Sequence, residues 1–308
     1  MVAGPLLWAA TLAAQTTVGE FQFPTYPLGP QIVGLGGAGA ALARDAESGL
    51  NPASLLQAPR LSLHHFRGYA DYSGDLLAAS LGLNGRVALG FTLRHFGWKD
   101  VIQDDLGSGT SGLTAGNSEY SLKVAGAPTA FLQVGTAVSR LVTDNIGVRT
   151  AATSFSAGAI VHYSGAGHVG VALRHAGGGA TNADGSARYS LPTRLRFGLA
   201  QGIRVLRSPV LLAADAEVPP RAPHTWMITV GLEWLPSPAV AFRAGHESSV
   251  NQNTGLRESR WATGIGLTLG RFDVGLATRF GGPPGAGEFF VGVDALRPRA
   301  RNRPHPRS

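Results

Sequence analysis

The chain has 308 residues, 44% of them apolar and 15% charged, with 43 glycines, no cysteine and a formal net charge of +7. Without cysteine there are no disulfides, thiolate metal centres or cysteine nucleophiles, and without a run of about 18 apolar residues there is no helical membrane span. The positive charge does not mark a nucleic-acid binder, because Arg299, Arg301, Arg303 and Arg307 crowd into the tail behind Arg297 while the other arginines are scattered.

Leu6 to Ala14 reads as the apolar core of an export signal ending in small residues, with cleavage after Ala13 or Ala14. It lacks the usual positive flank, since no Lys or Arg precedes Arg44. Residues 15–56 form a second segment of different texture. Gly34 to Gly39 satisfies G-x-G-x-x-G, and Ala40 to Ala46 is expected to be helical. As a dinucleotide fingerprint the pattern fails on context. The strand before it is at best Gln31 to Val33, no acidic residue closes a second strand about 20 residues on, and no βαβ alternation follows.

From Leu61 to Leu296 the chain is a series of period-two alternations, the mark of strands with one apolar face. Val87, Leu89, Phe91 and Leu93 oppose Ala88, Gly90, Thr92 and Arg94; Trp226, Ile228, Val230, Leu232 and Trp234 oppose Thr229, Gly231 and Glu233. Strands are predicted at 60–69, 74–84, 85–97, 118–127, 131–142, 149–164, 166–178, 191–205, 209–219, 225–236, 239–248, 259–270, 271–282 and 287–297, about fourteen, an even number as single-chain bacterial barrels require. Every second connection is tight, as at Asn84-Gly85, Ser164-Gly165, Arg207-Ser208 and Gly270-Arg271. The others are mostly longer and polar, above all Gly97 to Asn117 and Ala176 to Ser190. Short turns at one end and long loops at the other predict a transmembrane antiparallel β-barrel over residues 57–297, with both termini periplasmic. The Pro/Arg-rich remainder, residues 298–308, is expected to be disordered.

A soluble sandwich also alternates, so the polar face decides. It consists of Gly, Ala, Ser and Thr with single charges of both signs, namely Arg94, Lys123, Arg174, Arg194, Arg196, Asp215, Glu217, Glu233, Arg243, Asp273, Arg279 and Asp294. A lumen solvates or pairs such charges and lipid does not. Arg194 and Arg196 point the same way and form either a basic patch or pairs with Asp215 and Glu217. Trp226 and Trp234, eight residues apart at about 3.3 Å each and tilted roughly 40°, lie about 20 Å apart along the membrane normal, the spacing of two aromatic girdles.

Read with its continuation, Gly34 to Leu55 is GLGGAGAALARDAESGLNPASL. A glycine-rich entry (Gly36, Gly37, Gly39), an Ala-rich turn (Ala40 to Ala43), the pair Asp45-Ala46, and Asn51-Pro52-Ala53 before Leu55 resemble the N-terminal signature of the PorV/PorQ branch of the FadL-like outer-membrane barrels. Ser54 stands where that pattern commonly has Gly, and the chain runs past its last strand into the Arg/Pro tail. The resemblance implies a barrel of about fourteen strands; the chain is expected to need no cofactor and to be no enzyme, and its residues 15–56 are expected to plug the lumen. Physically, Asn before Pro favours an extended or turn conformation, and small residues let a short segment pack against the inner wall.

Two functional classes follow from the resemblance. One is an accessory of type IX-like protein secretion or surface assembly, whose partners are secreted cargo or secretion components. The other is a FadL-like channel for hydrophobic small molecules. The motif's wording favours the first, and an inward face that is mostly small or charged argues against a greasy tunnel. His162 and Ser164 share a strand face, as in outer-membrane phospholipases, but no third member or oxyanion site accompanies them. His64 and His65 are adjacent and face opposite ways, so they do not share a metal. Asn182 to Gly185 lacks the bidentate acid of a calcium loop.

Overall fold

The computed structural model describes residues 26–42, 50–68, 72–83, 85–100, 113–145, 148–177, 179–182, 188–189, 191–220, 225–251, 256–281 and 287–296. The signal, Asp45 and the basic tail lie outside them. A short helix α1 (Pro30–Gly34) and a 3-10 helix (Pro52–Leu56) precede sixteen strands: β1 (Leu61–Arg67), β2 (Ser73–Gly82), β3 (Val87–Asp100), β4 (Leu113–Gly126), β5 (Leu132–Asn145), β6 (Val148–Ser164), β7 (Gly167–Ala176), β8 (Ala180–Asn182), β9 (Arg188–Tyr189), β10 (Arg194–Val205), β11 (Ser208–Val218), β12 (Thr225–Ser237), β13 (Val240–Asn251), β14 (Leu256–Leu269), β15 (Phe272–Phe280) and β16 (Gly287–Ala295).

Fourteen of these strands form the wall, each antiparallel to its neighbours. The ring closes where β1 pairs with β16, from Leu61 opposite Ala295 to Arg67 opposite Phe289. Closure leaves no sheet edge, so every wall strand has a ladder on both sides. The small strands β8 and β9 pair with each other and extend the edge of β6 above the wall.

The end where the chain enters at Leu61 and leaves at Ala295 is the near end. Its turns leave two to five residues between strands, whereas connections between wall strands at the far end range from two residues, between β5 and β6, through twelve, between β3 and β4, to seventeen, between β7 and β10, where β8 and β9 lie. The β5–β6 connection thus departs from the long-loop expectation. The predicted loop from Gly97 to Asn117 also shortens, because β3 continues to Asp100 and β4 begins at Leu113, with Gly97 opposite Gly116. Backbone pairing needs no apolar face once the strands rise past the apolar belt, so alternation stops signalling strand before the ladder ends. The near-end turn after β10 centres on Leu206 and Arg207, both at positive φ (50° and 71°), one residue earlier than predicted.

Side-chain burial follows the pleat. Along β1 it alternates without a break, with Leu61, Leu63 and His65 outside and Ser62, His64 and Phe66 inside. The outward set is aliphatic and aromatic over most of the wall, with Leu89, Leu122, Val138, Phe197, Leu232 and Leu276 all well exposed. Towards the far end it turns polar: His65 bonds Asp75 at 2.8 Å, His95 bonds Ser118 at 3.0 Å, and His246 bonds Ser259 at 2.8 Å. An apolar band bounded by a polar rim is the outer face that a bilayer demands.

Candidate functional site

The lumen holds the described residues that precede β1, above all 26–42 and 50–56. Pro30 occupies the first turn of α1, where its missing N–H costs nothing. Gly36 and Gly37, at φ of 67° and 90°, end the helix, with their amides donating to Val33 and Ile32 carbonyls at 2.8 Å each. Gln31 to Val33 are therefore helical rather than a strand, while most of the Ala-rich stretch on which a helix is expected, residues 43–46, lies outside the described residues. A Cβ-bearing residue is strained at either glycine.

Where this plug meets the wall, the wall carries glycine. Gly135, Gly158, Gly170, Gly198, Gly231 and Gly245 sit at inward positions of β5, β6, β7, β10, β12 and β13, and a Cβ on any of them would collide with plug atoms. On Gly231 it would lie 2.5 Å from the Leu35 carbonyl oxygen. Gly135 stands opposite Gly158, and Gly231 opposite Gly245, so the glycines align across the ladders. Plug and wall approach backbone to backbone, and side chains interdigitate between the contacts: Ile32, Leu35, Ala41, Leu42 and Leu50 pack with wall residues Ala200 and Ala213.

Asn51 fastens the second half of the plug. It is extended, at φ −148° and ψ 112°, and its Oδ1 caps the 3-10 helix by accepting from the Ala53 amide at 3.0 Å. Its Nδ2 donates to the Ala40 carbonyl at 2.7 Å and the Ala159 carbonyl at 3.1 Å, tying plug to plug and plug to wall. Replacing Asn51 by Ala loses the cap, about 1 kcal/mol, and leaves buried carbonyls unpaired at roughly 1–3 kcal/mol more. The expected result is a lower thermal midpoint by circular dichroism and faster proteolysis near Asn51. An unchanged midpoint would refute this role.

The inward charges form ion-pair clusters. Arg196 Nε donates to Asp215 at 2.8 Å, and its Nη atoms reach Glu217 at 3.3 Å and the Gly37 carbonyl at 2.5 Å. Asp215 in turn accepts from the plug amides of Gly39 (2.7 Å) and Ala40 (2.8 Å). Arg194 and Arg174 reach Glu217 at 3.4 and 3.8 Å, so Arg194 and Arg196 pair with β11 rather than form a free basic patch. Arg94 pairs with Glu119 at 3.3 Å, Arg243 with Glu233 at 2.7 Å, and His64 with Asp294 at 2.9 Å. Lys123 is buried on β4, and Asp273 is partly buried on β15. Trp226 and Trp234 share the outward face of β12, Trp234 stacked on Phe242 with ring centroids 5.7 Å apart.

Towards the far end the lumen is aromatic, which the sequence reading missed. Phe66 of β1, Phe96 of β3 and Phe290 of β16 are fully buried, and Tyr26 and Tyr72 pack against them. Centroids of Phe66 lie 5.3 Å from Phe290, 5.8 Å from Phe96 and 5.3 Å from Tyr72. On an inward face that is otherwise mostly small or charged these rings are an apolar patch: they hold inward parity, but they gather only when β1 meets β16. Outside the same strands a shallow hollow of about 380 Å³ is lined by Leu63, Leu77, Leu93, Val291 and Val293 among others.

His162 stacks edge-to-face on His168 at 4.5 Å, while the β6–β7 register shifts between His162 and Ser164. Ser164 Oγ accepts from the Ala166 amide in the turn, at 3.4 Å. His64 and His65 face opposite sides of the wall. Among the described residues no group of three metal-ligating side chains converges.

Fold and plug define a class, the closed fourteen-stranded FadL-like barrel with an occupied lumen. No family model matches the chain, and no curated protein matches it. Among solved structures it is similar to the CymD monoaromatic hydrocarbon channel (TM-score 0.64, 15% identity, 89% of this chain and 97% of that one). It is also similar to the toluene transporter TodX of P. putida (0.62, 13%, 85% and 96%) and to a Pseudomonas aeruginosa FadL homologue (0.59, 11%, 89% and 99%). At these identities the likeness is one of fold.

Proposed function

We propose that this chain is a bacterial outer-membrane channel for hydrophobic small molecules, with both termini on the periplasmic side and the plug as its gate. The observation that carries the reading is the buried aromatic cluster of Phe66, Phe96 and Phe290 inside a plugged barrel. An apolar solute leaves water at about 25 cal/mol per Å² buried, so an aromatic cluster ahead of the plug favours its entry. The outward apolar band makes bilayer lipid the partner of the wall. Its neighbours of the same fold, the CymD monoaromatic hydrocarbon channel and the toluene transporter TodX, support this reading. The secretion-accessory reading rests on the motif around Asn51 alone. His162 and Ser164, separated by a register shift, lend no support to an enzymatic role.

The test is uptake of radiolabelled toluene by cells whose outer membrane lacks other hydrophobic channels, with folding checked by heat-modifiable gel mobility. Saturable uptake above the empty-vector rate is expected. Uptake at the vector rate by a folded barrel that co-elutes with secreted proteins would overturn the channel in favour of export.

A further inference from the structure

The aromatic cluster encloses a phenol supplied by the chain itself, the side chain of Tyr26. The Tyr26 ring lies 5.6 Å from Phe66 and 6.2 Å, edge-on, from Phe96, and the Arg279 guanidinium stands 4.2 Å above it. Its hydroxyl donates to the Glu288 carboxylate, and Arg94 donates to its backbone carbonyl. The acceptor is fixed in place, because Glu288 is also held by Arg279 Nε at 2.6 Å. Burial raises the Tyr26 pKa well above the ordinary tyrosine value, so the hydroxyl keeps the proton it donates. Arg279 is 4% exposed, yet among the described residues its Nη2 is buried with no hydrogen-bond partner. A spare donor and a fixed acceptor beside a guanidinium-capped ring site are the recognition set for one group, an aromatic hydroxyl.

We propose that the solute this channel selects is a single-ring phenol, and that it binds by exchanging with Tyr26. The inference rests on the channel reading and sharpens it from apolar molecules in general to hydroxylated aromatics. A plain hydrocarbon fills the same ring space but leaves the Glu288 carboxylate without the proton donor that Tyr26 gave it. A site built around a hydroxyl discriminates against the analogue that lacks one. A hydrogen bond to a charged acceptor corresponds to a preference of about tenfold or more.

The experiment is calorimetric titration of the purified full-length barrel with p-cresol and with toluene, alongside cellular uptake of both. In the wild type p-cresol binds about tenfold more tightly. In Glu288→Gln, which keeps the size but removes the charge, the ratio falls below about threefold. In Tyr26→Phe the competing ring loses its hydroxyl and p-cresol binds more tightly than to the wild type, a gain that a purely structural tyrosine would not produce. Equal affinity for the two solutes, an unchanged ratio in Glu288→Gln, or no gain in Tyr26→Phe overturns the phenol assignment, and the channel reading stands as long as toluene enters. If neither solute binds or enters, the channel reading itself fails and takes this inference with it.

Discussion

Replacing Gly245 by Ala is expected to unseat the plug while leaving the wall closed. The three heavy atoms nearest to the new Cβ are all backbone, the Leu35 carbonyl carbon with the nitrogen and Cα of Gly36. No rotamer change relieves such a clash, so the cost falls at the upper end of overpacking, about 3 kcal/mol or more. The ladder that closes the barrel does not run through the plug, and it survives. Planar-bilayer recordings should therefore show ion conductance in the variant well above that of the wild type, with heat-modifiable mobility retained. Gly165→Ala is the control, because nothing lies within 4 Å of the Cβ it adds. Wild-type conductance in Gly245→Ala would mean that plug and wall do not meet as closely as Gly36 and Gly245 do here.

Replacing Arg196 by Met should cost about 3–5 kcal/mol, since it strands the buried carboxylate of Asp215 beside the plug. Glu217 keeps Arg174 and Arg194, but among the ion pairs described here Asp215 has Arg196 alone. The double variant Arg196→Met with Asp215→Asn is expected to be more stable than the single one. The asparagine is neutral, and its side-chain oxygen still accepts from the plug amides of Gly39 or Ala40. This inverted order, read as urea midpoints of protease protection, separates a charge effect from loss of bulk. If the two changes add, the buried pair is not coupled.

Much of the wall was legible because alternation is a local signal. The parity of Val87 to Arg94 or of Trp226 to Trp234 needs only neighbouring residues, and it places those side chains inside or outside without knowing what lies across the lumen. The glycines were visible in the same way, at inward parity on strand after strand. Counted in bulk they read as tight strands and turns, and only the approach of Leu35 and Gly36 to Gly231 and Gly245 gives them a purpose. Short-range rules misplaced the end of β3 and the start of β4. There the side chains do not alternate in polarity, with Trp98-Lys99-Asp100 ending one strand and Leu113-Thr114-Ala115-Gly116 opening the next, and the pairing partner rather than the side chain decides the conformation.

By itself, then, the sequence determined the strands, their faces, the tight near-end turns and the even antiparallel ring, since each follows from period-two alternation and turn chemistry over a few residues. It also marked Asn51-Pro52 as a fixed point of the plug. Tertiary structure alone decided what the lumen contains. Tyr26 meets Glu288 across 262 residues of chain, and Phe66 stacks on Phe290 because β1 closes on β16. Such contacts depend on register and closure, which are properties of the whole ring, so no window of sequence contains both partners.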